Sequence, residues 1–200
     1  TARKFVLNLA DPGGYALFVT MSVLVSLSFT PILLVRAAAP PFQTTKPMSL
    51  ARLFRVSPLG CVGTFMMGGV FAAIFGMASV FGTEAGLSVG QISIFVAAIY
   101  FGGLVCQYPI GWMSDRMDRR LLIAGLTAAG AVVGGVGVVV SQPFGAVVLL
   151  GFLVGGLANP LYSLMIAYTN DFLQPSDMAA ASGGLLFING LGAISGPLVI

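Results

Sequence analysis

The densest charge in the sequence lies in a ten-residue segment, GWMSDRMDRR, at positions 111–120. This segment carries five of the fifteen charged residues, which are nine Lys and Arg and six Asp and Glu. Carboxylates and guanidinium groups this close together form ion pairs and charge-assisted hydrogen bonds. Because the chain contains no His, a His metal site and a Ser-His or Cys-His nucleophile are excluded. We expect no catalytic residue, no metal, no cofactor and no enzymatic activity.

The rest of the chain is too apolar to cover a surface that faces water. Hydrophobic residues make up 58% and charged residues 8%, and the mean hydropathy is +1.01. A soluble domain is typically about 25% charged. Cys61 and Cys106 lie inside apolar stretches, which favours small buried residues over a disulfide framework. This composition predicts an all-α, polytopic membrane protein.

Six stretches of the sequence are suited to cross a membrane. A spanning helix needs about 20 mostly apolar residues, and none of these stretches contains Asp, Glu, Lys or Arg. Strands are not expected, because the stretches are long and lack the alternation of period two. The stretches are 14–35, 58–82, 91–110, 121–140, 145–168 and 179–200, the last of which is cut by the end of the sequence.

The Lys and Arg residues between these stretches predict the orientation of the chain. Segment 36–57 carries Arg36, Lys46, Arg52 and Arg55, and segment 111–120 carries Arg116, Arg119 and Arg120. Both segments are therefore predicted to be cytoplasmic. The opposite loops hold only Glu84, and Arg3 and Lys4 are exceptions to the rule. Basic membrane loops explain the net charge of +3, so no nucleic-acid partner is expected.

Segment 36–57 is the longest connection between spanning stretches, and it begins as a flexible linker. Its second part, MSLARLFRV, has Ser49 as a plausible N-cap of a short helix. Such a helix would lie at the membrane surface, with Arg52 and Arg55 toward the headgroups. A solvated basic linker is an equally good interpretation. In the helical interpretation one apolar face holds Leu50, Leu53 and Phe54.

The charged segment resembles the conserved loop motif of the major facilitator superfamily, roughly G-x-L-a-D-r-x-G-R-R/K. Met113 replaces the usual Leu, and Asp118 replaces the second Gly, where Asp tolerates a left-handed backbone. In that family the motif joins the second and third helices of a six-helix half. The matching residues are Gly111, Asp115, Arg116, Arg119 and Arg120.

A second motif supports this resemblance. GAISGP at 192–197 is similar to the G-x-x-x-G-P core of a fifth-helix motif in superfamily antiporters, so Gly192, Gly196 and Pro197 are expected to pack or kink a helix. The resemblance implies an incomplete twelve-helix fold. Residues 1–35 would be the last helix of an N-terminal half, 36–57 a cytoplasmic linker, and 58–200 helices seven to eleven. Placing the motif in the first half instead would leave 14–35 as an extra helix.

The resemblance also implies a function. The pattern looks most like poorly characterised bacterial permeases, which implies a secondary-active transporter that moves a small solute by alternating access. A multi-pass monomer in the cell (inner) membrane is expected, and efflux and proton coupling are open. The alternatives are a passive facilitator and a non-transporting membrane scaffold.

The resemblance further implies a gating role for segment 111–120. Asp115 would meet an Arg or a helix N-terminus of the other half when the cytoplasmic side is closed, a contact that we call the latch. Asp171 is expected to approach Arg119 or Arg120. A plain positive-inside anchor, with Asp115 paired locally, is the alternative.

Polar residues inside the spanning stretches are the candidates for contact with substrate, because they are costly in lipid. For each of them, an interhelical hydrogen bond or a helix kink is the alternative. The candidates are Thr64, Tyr100, Asn159, Tyr162 and Asn189. Glycines in G-x-x-x-G spacing are instead expected to pack helices together; they are Gly130, Gly134, Gly151 and Gly155.

Overall fold

A computed structural model describes residues 15–34, 48–139 and 143–199, and within these ranges it contains helices and no strands. The predicted all-α class is confirmed. A π-helical turn at Ala72–Gly76 joins α4 to α5 without a break. The helices are α1 (Tyr15–Ser28), α2 (Thr30–Leu34), α3 (Leu50–Val56), α4 (Pro58–Phe71), α5 (Met77–Glu84), α6 (Val89–Ser114), α7 (Arg119–Val139), α8 (Phe144–Asn170) and α9 (Pro175–Val199).

Six helical segments are long and apolar enough to cross a membrane, which confirms the prediction of a polytopic membrane protein. α1 and α2 together form the first segment, and they belong to a compact unit of residues 1–43. The other five belong to a second unit, residues 44–200. α6 begins before its apolar stretch, because the hydroxyl of Ser88 and the side chain of Gln91 cap its first turn reciprocally. The segments are Tyr15–Leu34, Pro58–Glu84, Val89–Ser114, Arg119–Val138, Phe144–Asn170 and Pro175–Leu198.

Glycines bring two pairs of helices into backbone contact in the second unit. Between α6 and α8, a Cβ added to Gly155 would lie 2.0 Å from the carbonyl oxygen of Ile99. Between α4 and α9, a Cβ on Gly192 would lie 1.9 Å from the carbonyl oxygen of Phe65. We call these contacts the α6–α8 seam and the α4–α9 seam. Close packing of small residues is a main source of helix association in lipid, so the seams hold the unit together.

The two seams confirm the packing role that the sequence predicted for four glycines. A Cβ on Gly196 would lie 2.8 Å from Cα of Gly69, so Gly192 and Gly196 both pack as expected, and Pro197 lies within α9. In α8, a Cβ on Gly151 would lie 2.8 Å from the ring of Phe95, so the expectation holds for Gly151 and Gly155 as well.

The packing role predicted for Gly130 and Gly134 is wrong. A Cβ on either glycine would meet nothing within 4 Å. The buried side chains described in α7, Leu122 and Ile123, lie near its start, and most of the rest of the helix is exposed. The two glycines have the G-x-x-x-G spacing of a packing motif, but this spacing does not predict where along α7 a neighbouring helix comes close.

The short helix predicted in the linker is present as α3. The hydroxyl of Ser49 accepts a hydrogen bond from the backbone N–H of Arg52 (3.3 Å), as an N-cap should. Leu53 is only 1% exposed and packs against Cys61, Ala181 and Leu185. The remaining apolar residues of the predicted face, Leu50 and Phe54, are exposed.

Arg52 does not point only to solvent or headgroups, as the sequence suggested. It donates a hydrogen bond to Asp177 of α9 at 3.0 Å. α3 is therefore docked on α4 and α9 by one buried leucine and one ion pair. The predictions made for Arg3, Lys4, Arg36 and Lys46 lie outside the described residues.

Gly155→Ala should destabilise the protein, whereas Gly130→Ala should not. The new methyl group at position 155 would collide with the Ile99 carbonyl, and overpacking of this kind costs roughly 1–3 kcal/mol. Alanine at position 130 meets open space and should be neutral or stabilise by about 0.5–1 kcal/mol through its helix propensity. Thermal unfolding of both purified variants in detergent tests this. Equal melting temperatures would contradict the α6–α8 seam.

Positions 55 and 117 should be accessible from one face of the membrane, and position 85 from the other. Each of these residues is exposed and lies at a helix end outside the apolar core. Impermeant thiol reagents applied to Arg55→Cys, Met117→Cys and Ala85→Cys in intact cells measure the sidedness. The parent protein, with Cys61 and Cys106 buried or partly buried, supplies the background. Labelling of positions 55 and 117 from opposite faces would overturn the topology.

Candidate functional site

All but one of the described charged residues lie at one end of the second unit, and we call this the charged end. It comprises α3, the α6–α7 turn (115–118) with the first residues of α7, and the α8–α9 turn (171–174) with the first residues of α9. Contacts between Arg52 and Asp177 and between Arg119 and Asp171 connect these parts. Among the charged residues that the structure describes, Glu84 alone lies elsewhere.

Asp118 closes the α6–α7 turn as a helix cap. One of its carboxylate oxygens accepts a hydrogen bond from the backbone N–H of Arg120 (2.8 Å), and its carbonyl accepts one from Leu122 (3.1 Å). The left-handed backbone expected at Asp118 is wrong, since no described non-glycine residue has a positive φ. The carboxylate thus satisfies one of the free N–H groups at the helix start and lies at the favourable end of the helix dipole.

Arg119 lies at the centre of the charged end and contacts three helices. Its Nη1 contacts a carboxylate oxygen of Asp171 and donates to the carbonyl of Ala167 (3.3 Å). Its Nε donates to the hydroxyl of Ser114 (3.0 Å), and its Nη2 lies 3.7 Å from the carboxylate of Asp115. The expected approach of Asp171 to a motif arginine is therefore present. One guanidinium group joins the ends of α6 and α8 to the start of α7.

The other two motif arginines have different partners. Arg120 donates through Nε to the phenol oxygen of Tyr168 (2.8 Å), and this links α7 to α8 a second time. Arg116 stays on its own helix, where its guanidinium lies 4.0 Å from the ring centroid of Trp112. Neither aromatic partner was identified from the sequence. The spacing of Trp112 and Arg116, four residues apart on a helix, could have predicted that the guanidinium group stacks on the ring.

Asp115 is the acidic residue of the motif whose carboxylate stays exposed and can bind a further partner. Its side chain is 72% exposed, and its only ion pair among the described residues is the 3.7 Å contact with Arg119. A Cβ on Gly111, one turn earlier, would meet nothing within 4 Å. A hollow of about 240 Å³ lies beside both residues, between α6 and α8. This face of α6 is thus open within the described chain.

The open face of α6 also carries polar residues that the sequence analysis missed. Gln107 is exposed and lines the same hollow, and Tyr108 is 81% exposed. Ser163 of α8 lines the hollow from the other side. Polar groups inside a spanning helix are costly in lipid, which indicates that something other than lipid covers this face. All three residues lie inside predicted spanning stretches, so the criterion that selected Thr64 and Asn159 would also have selected them.

Three of the predicted cavity residues lie in the helix seams. Thr64 is fully buried, and its backbone carbonyl accepts a hydrogen bond from the amide of Asn189 (3.0 Å) across the α4–α9 seam. The amide of Asn159 donates to Gly155 of its own helix (3.0 Å) and packs against Gly103 in the α6–α8 seam. The structure does not bring Asn159 and Asn189 together. Their contact with substrate stays a prediction.

The two predicted tyrosines belong to one aromatic row. Tyr162 of α8 packs on Phe71 with centroids 5.6 Å apart, and Phe71 contacts Phe75 at 5.5 Å. Phe75 in turn stacks on Tyr100 of α6 at 5.1 Å. The row crosses α8, the α4–α5 helix and α6, and Tyr100 is exposed. Such rings offer apolar faces, with phenol oxygens that can hydrogen-bond.

Tyr168→Phe should lower the free energy of unfolding by about 1 kcal/mol, because it removes the acceptor of the Arg120 hydrogen bond. Tyr162→Phe is the matched control: the Tyr162 hydroxyl makes no hydrogen bond within the described residues, so its loss should leave stability unchanged. Denaturant or thermal unfolding of the purified variants measures both. Equal stability of the two variants would show that the Arg120–Tyr168 bond contributes nothing.

The comparisons with known proteins agree with this architecture. A family model described as the Major Facilitator Superfamily matches residues 60–200. The uncharacterized MFS-type transporter YfkF of Bacillus subtilis (strain 168) is 29% identical over 165 residues, which cover 79% of this chain and 41% of YfkF. The uncharacterized MFS-type transporter YcaD of Escherichia coli O17:K52:H18 is 26% identical over 178 residues, 89% of this chain and 45% of YcaD.

A YcaD protein of Escherichia fergusonii is 21% identical over 179 residues, which cover 88% of this chain and 46% of that relative. No solved structure matches. The chain spans less than half the length of the curated relatives it matches. The match over residues 60–200 includes the charged turn and both seams, and the chain belongs to the major facilitator superfamily of membrane transporters.

Proposed function

We propose that this chain is part of a secondary-active permease that moves a small solute across the membrane by alternating access. The observation that carries the proposal is the unequal use of the motif charges at the charged end. Arg119 and Arg120 are committed to contacts between α6, α7 and α8, whereas Asp115 is mostly exposed beside an open face. The arginine contacts hold the helices of this bundle together, and the Asp115 carboxylate remains exposed for a further partner. This arrangement suits a rigid half of a transporter that docks reversibly on a second half.

The domain assignment follows from the same proposal. Residues 1–35 are assigned to the last helix of an N-terminal half, 36–57 to a cytoplasmic linker, and 58–200 to helices seven to eleven of a C-terminal half. Two findings support it: the family match begins at residue 60, and the chain divides into compact units near residue 43. The charged end is then cytoplasmic, and the protein is a monomer in the cell (inner) membrane.

The latch is formed by Asp115 when the cytoplasmic side is closed. Its carboxylate accepts hydrogen bonds from an Arg or a helix N-terminus of the other half, and Gly111 permits close approach. A two-state gate responds steeply to such a contact, since about 1.4 kcal/mol changes its equilibrium tenfold. Breaking the latch opens the cytoplasmic side. Asp171 supports the latch indirectly by holding Arg119 in place.

The substrate cavity is proposed to lie against the open faces of α6, α8 and α4. Tyr100 and Tyr162 contribute through the aromatic row, and Gln107, Tyr108 and Ser163 contribute hydrogen-bonding groups. Asn159 and Asn189 offer their amide oxygens, and Thr64 positions Asn189. This lining carries no charge, so it fits a small solute recognised by apolar contact and hydrogen bonds.

A passive facilitator is the second candidate function, and one observation favours it. The described spanning segments contain no Asp, Glu, Lys or Arg in their apolar cores, and proton coupling usually uses an ionisable group at depth. Proton-coupled transport, including efflux, places that group in the part of the protein outside this chain. Substrate accumulation against a gradient in vesicles separates the two functions.

Asp115→Asn in the full-length protein should leave membrane insertion normal and impair transport. Loss of the charge weakens the latch, so the cytoplasmic side is open more often. Transport is measured in proteoliposomes with a substrate found by screening, and gate opening is measured as thiol labelling of Ser163→Cys from the cytoplasmic side.

Asp118→Asn is the matched control for this experiment. It removes a charge from the same turn, but Asn caps a helix as well as Asp does, so α7 keeps its N-cap. Asp118→Asn should transport at the wild-type rate. If Asp115→Asn behaves like Asp118→Asn in both assays, the segment is a topological anchor and the latch is rejected.

A further inference from the structure

A cavity of about 560 Å³ lies in the second unit at the end opposite the charged end. It is bordered by the π-helical turn, α5, α6, α7 and α8, and it is distinct from the hollow beside Asp115. All of its lining side chains are Ala, Val, Ile, Leu, Phe or Met, and Gly supplies the rest. No lining side chain carries a hydroxyl, an amide or a charge.

The cavity extends from Ala85, at the membrane face where α5 ends, to the depth of lipid chains. Its α6 residues, Phe95 and Ile99, are six and ten residues after Val89, where α6 begins. At 1.5 Å per residue they lie about 9 and 15 Å along the helix axis from that end. Phe81 on α5 and Val138 on α7 line the cavity and are themselves exposed, Val138 by 87%. The described residues therefore leave the cavity open between α5 and α7.

The apolar side chains of this cavity favour neither water nor empty space as its content. A buried water needs two to four polar partners, and the lining side chains offer none. An empty cavity forfeits dispersion contacts with every side chain that lines it. The material available at this depth is hydrocarbon, which pays no desolvation penalty when it moves between two apolar surroundings.

Glycine on α7 gives the cavity its width. A Cβ on Gly134 would meet nothing within 4 Å, and one on Gly137 would lie 3.7 Å from the side chain of Leu150. Gly130 is equally open but does not line the cavity. Gly134 therefore does not pack against a neighbouring helix. Its missing side chain instead leaves space for a ligand.

We propose that this cavity is a lipid site that holds one acyl chain of a surrounding phospholipid, inserted between α5 and α7. The site depends only on the membrane location of the chain and does not rest on the proposed transport mechanism. The acyl chain takes the place of side chains between α7 and the α4–α5 helix. Its presence therefore stabilises the separation of these helices.

The test uses a tryptophan inside the cavity and lipids that quench it. Phe95→Trp in the full-length protein is reconstituted into phosphatidylcholine vesicles whose acyl chains carry bromine, and into matched vesicles without bromine. The signal of the parent protein, which includes Trp112, is subtracted from both. Strong quenching by the brominated chains is expected, because Phe95 lines the cavity.

Gly134→Leu is the filling variant, and Gly130→Leu is its matched control on the same helix. Gly134→Leu in the Phe95→Trp background should remove most of the bromine quenching, whereas Gly130→Leu should leave it unchanged. Ala73→Leu fills the cavity from the opposite wall and should act like Gly134→Leu, which protects the test against misfolding of one variant.

Two outcomes overturn the proposal. If brominated lipids quench the Phe95→Trp variant no more than they quench the parent protein, the cavity is closed or covered by another part of the whole protein. If both filling variants fold and quenching persists as in Gly130→Leu, the bromine reaches the introduced tryptophan from outside the cavity.

Discussion

The charged end depends on one side chain, Arg119, because it is the only described charged residue whose side chain bonds to both α6 and α8 from α7. Its guanidinium group bonds to Ser114, to the Ala167 carbonyl and to Asp171. Arg119 is about three-quarters buried, so these contacts are less screened than those of a surface ion pair. The five N–H donors of an arginine suit this task, which a lysine would perform only in part. With Arg119 engaged in these contacts, Asp115 makes only the 3.7 Å ion pair with Arg119 among the described residues.

The membrane-spanning part is held by a different force. Side chains that face lipid gain nothing from burial against each other, so the helices associate through close packing. The α6–α8 and α4–α9 seams bring a bare Cα against a backbone carbonyl of the neighbouring helix. α8 contacts α4, α6 and α7 and so links the two seams. Where glycine lies away from a seam, as at Gly134, the same lack of a side chain leaves a cavity instead.

Much of this fold could be predicted from the sequence, for physical reasons that particular residues illustrate. The six spanning segments follow from length and hydropathy alone, and Ser49 marks the start of α3 through a local capping rule. Asp171 could be placed near Arg119 because alternation of the spans puts both at the same membrane face and the family resemblance implies an acid paired with a motif arginine.

Contacts between distant parts of the chain could not be predicted in this way. Arg52 and Asp177 are 125 residues apart in the sequence, and no pattern of neighbouring residues predicts that they form an ion pair. Gly130 and Gly155 belong to the same spacing motif, yet only Gly155 meets a neighbouring backbone. Asp118 was expected to imitate the family's glycine and instead caps α7, because its carboxylate accepts a hydrogen bond from the Arg120 N–H that a glycine could not provide. The roles of Asp115 and of the cavity residues remain proposals.

The most direct test of the central claim is the distance between the two turns that Arg119 connects. Spin labels at positions 117 and 174, both exposed, report this distance by double electron–electron resonance in the full-length protein. The account predicts one narrow distribution, the same in the wild type and in Asp115→Asn, and a clearly broadened one in Arg119→Gln. An unchanged narrow distribution in Arg119→Gln would contradict it, because the turns would then be held together without the arginine.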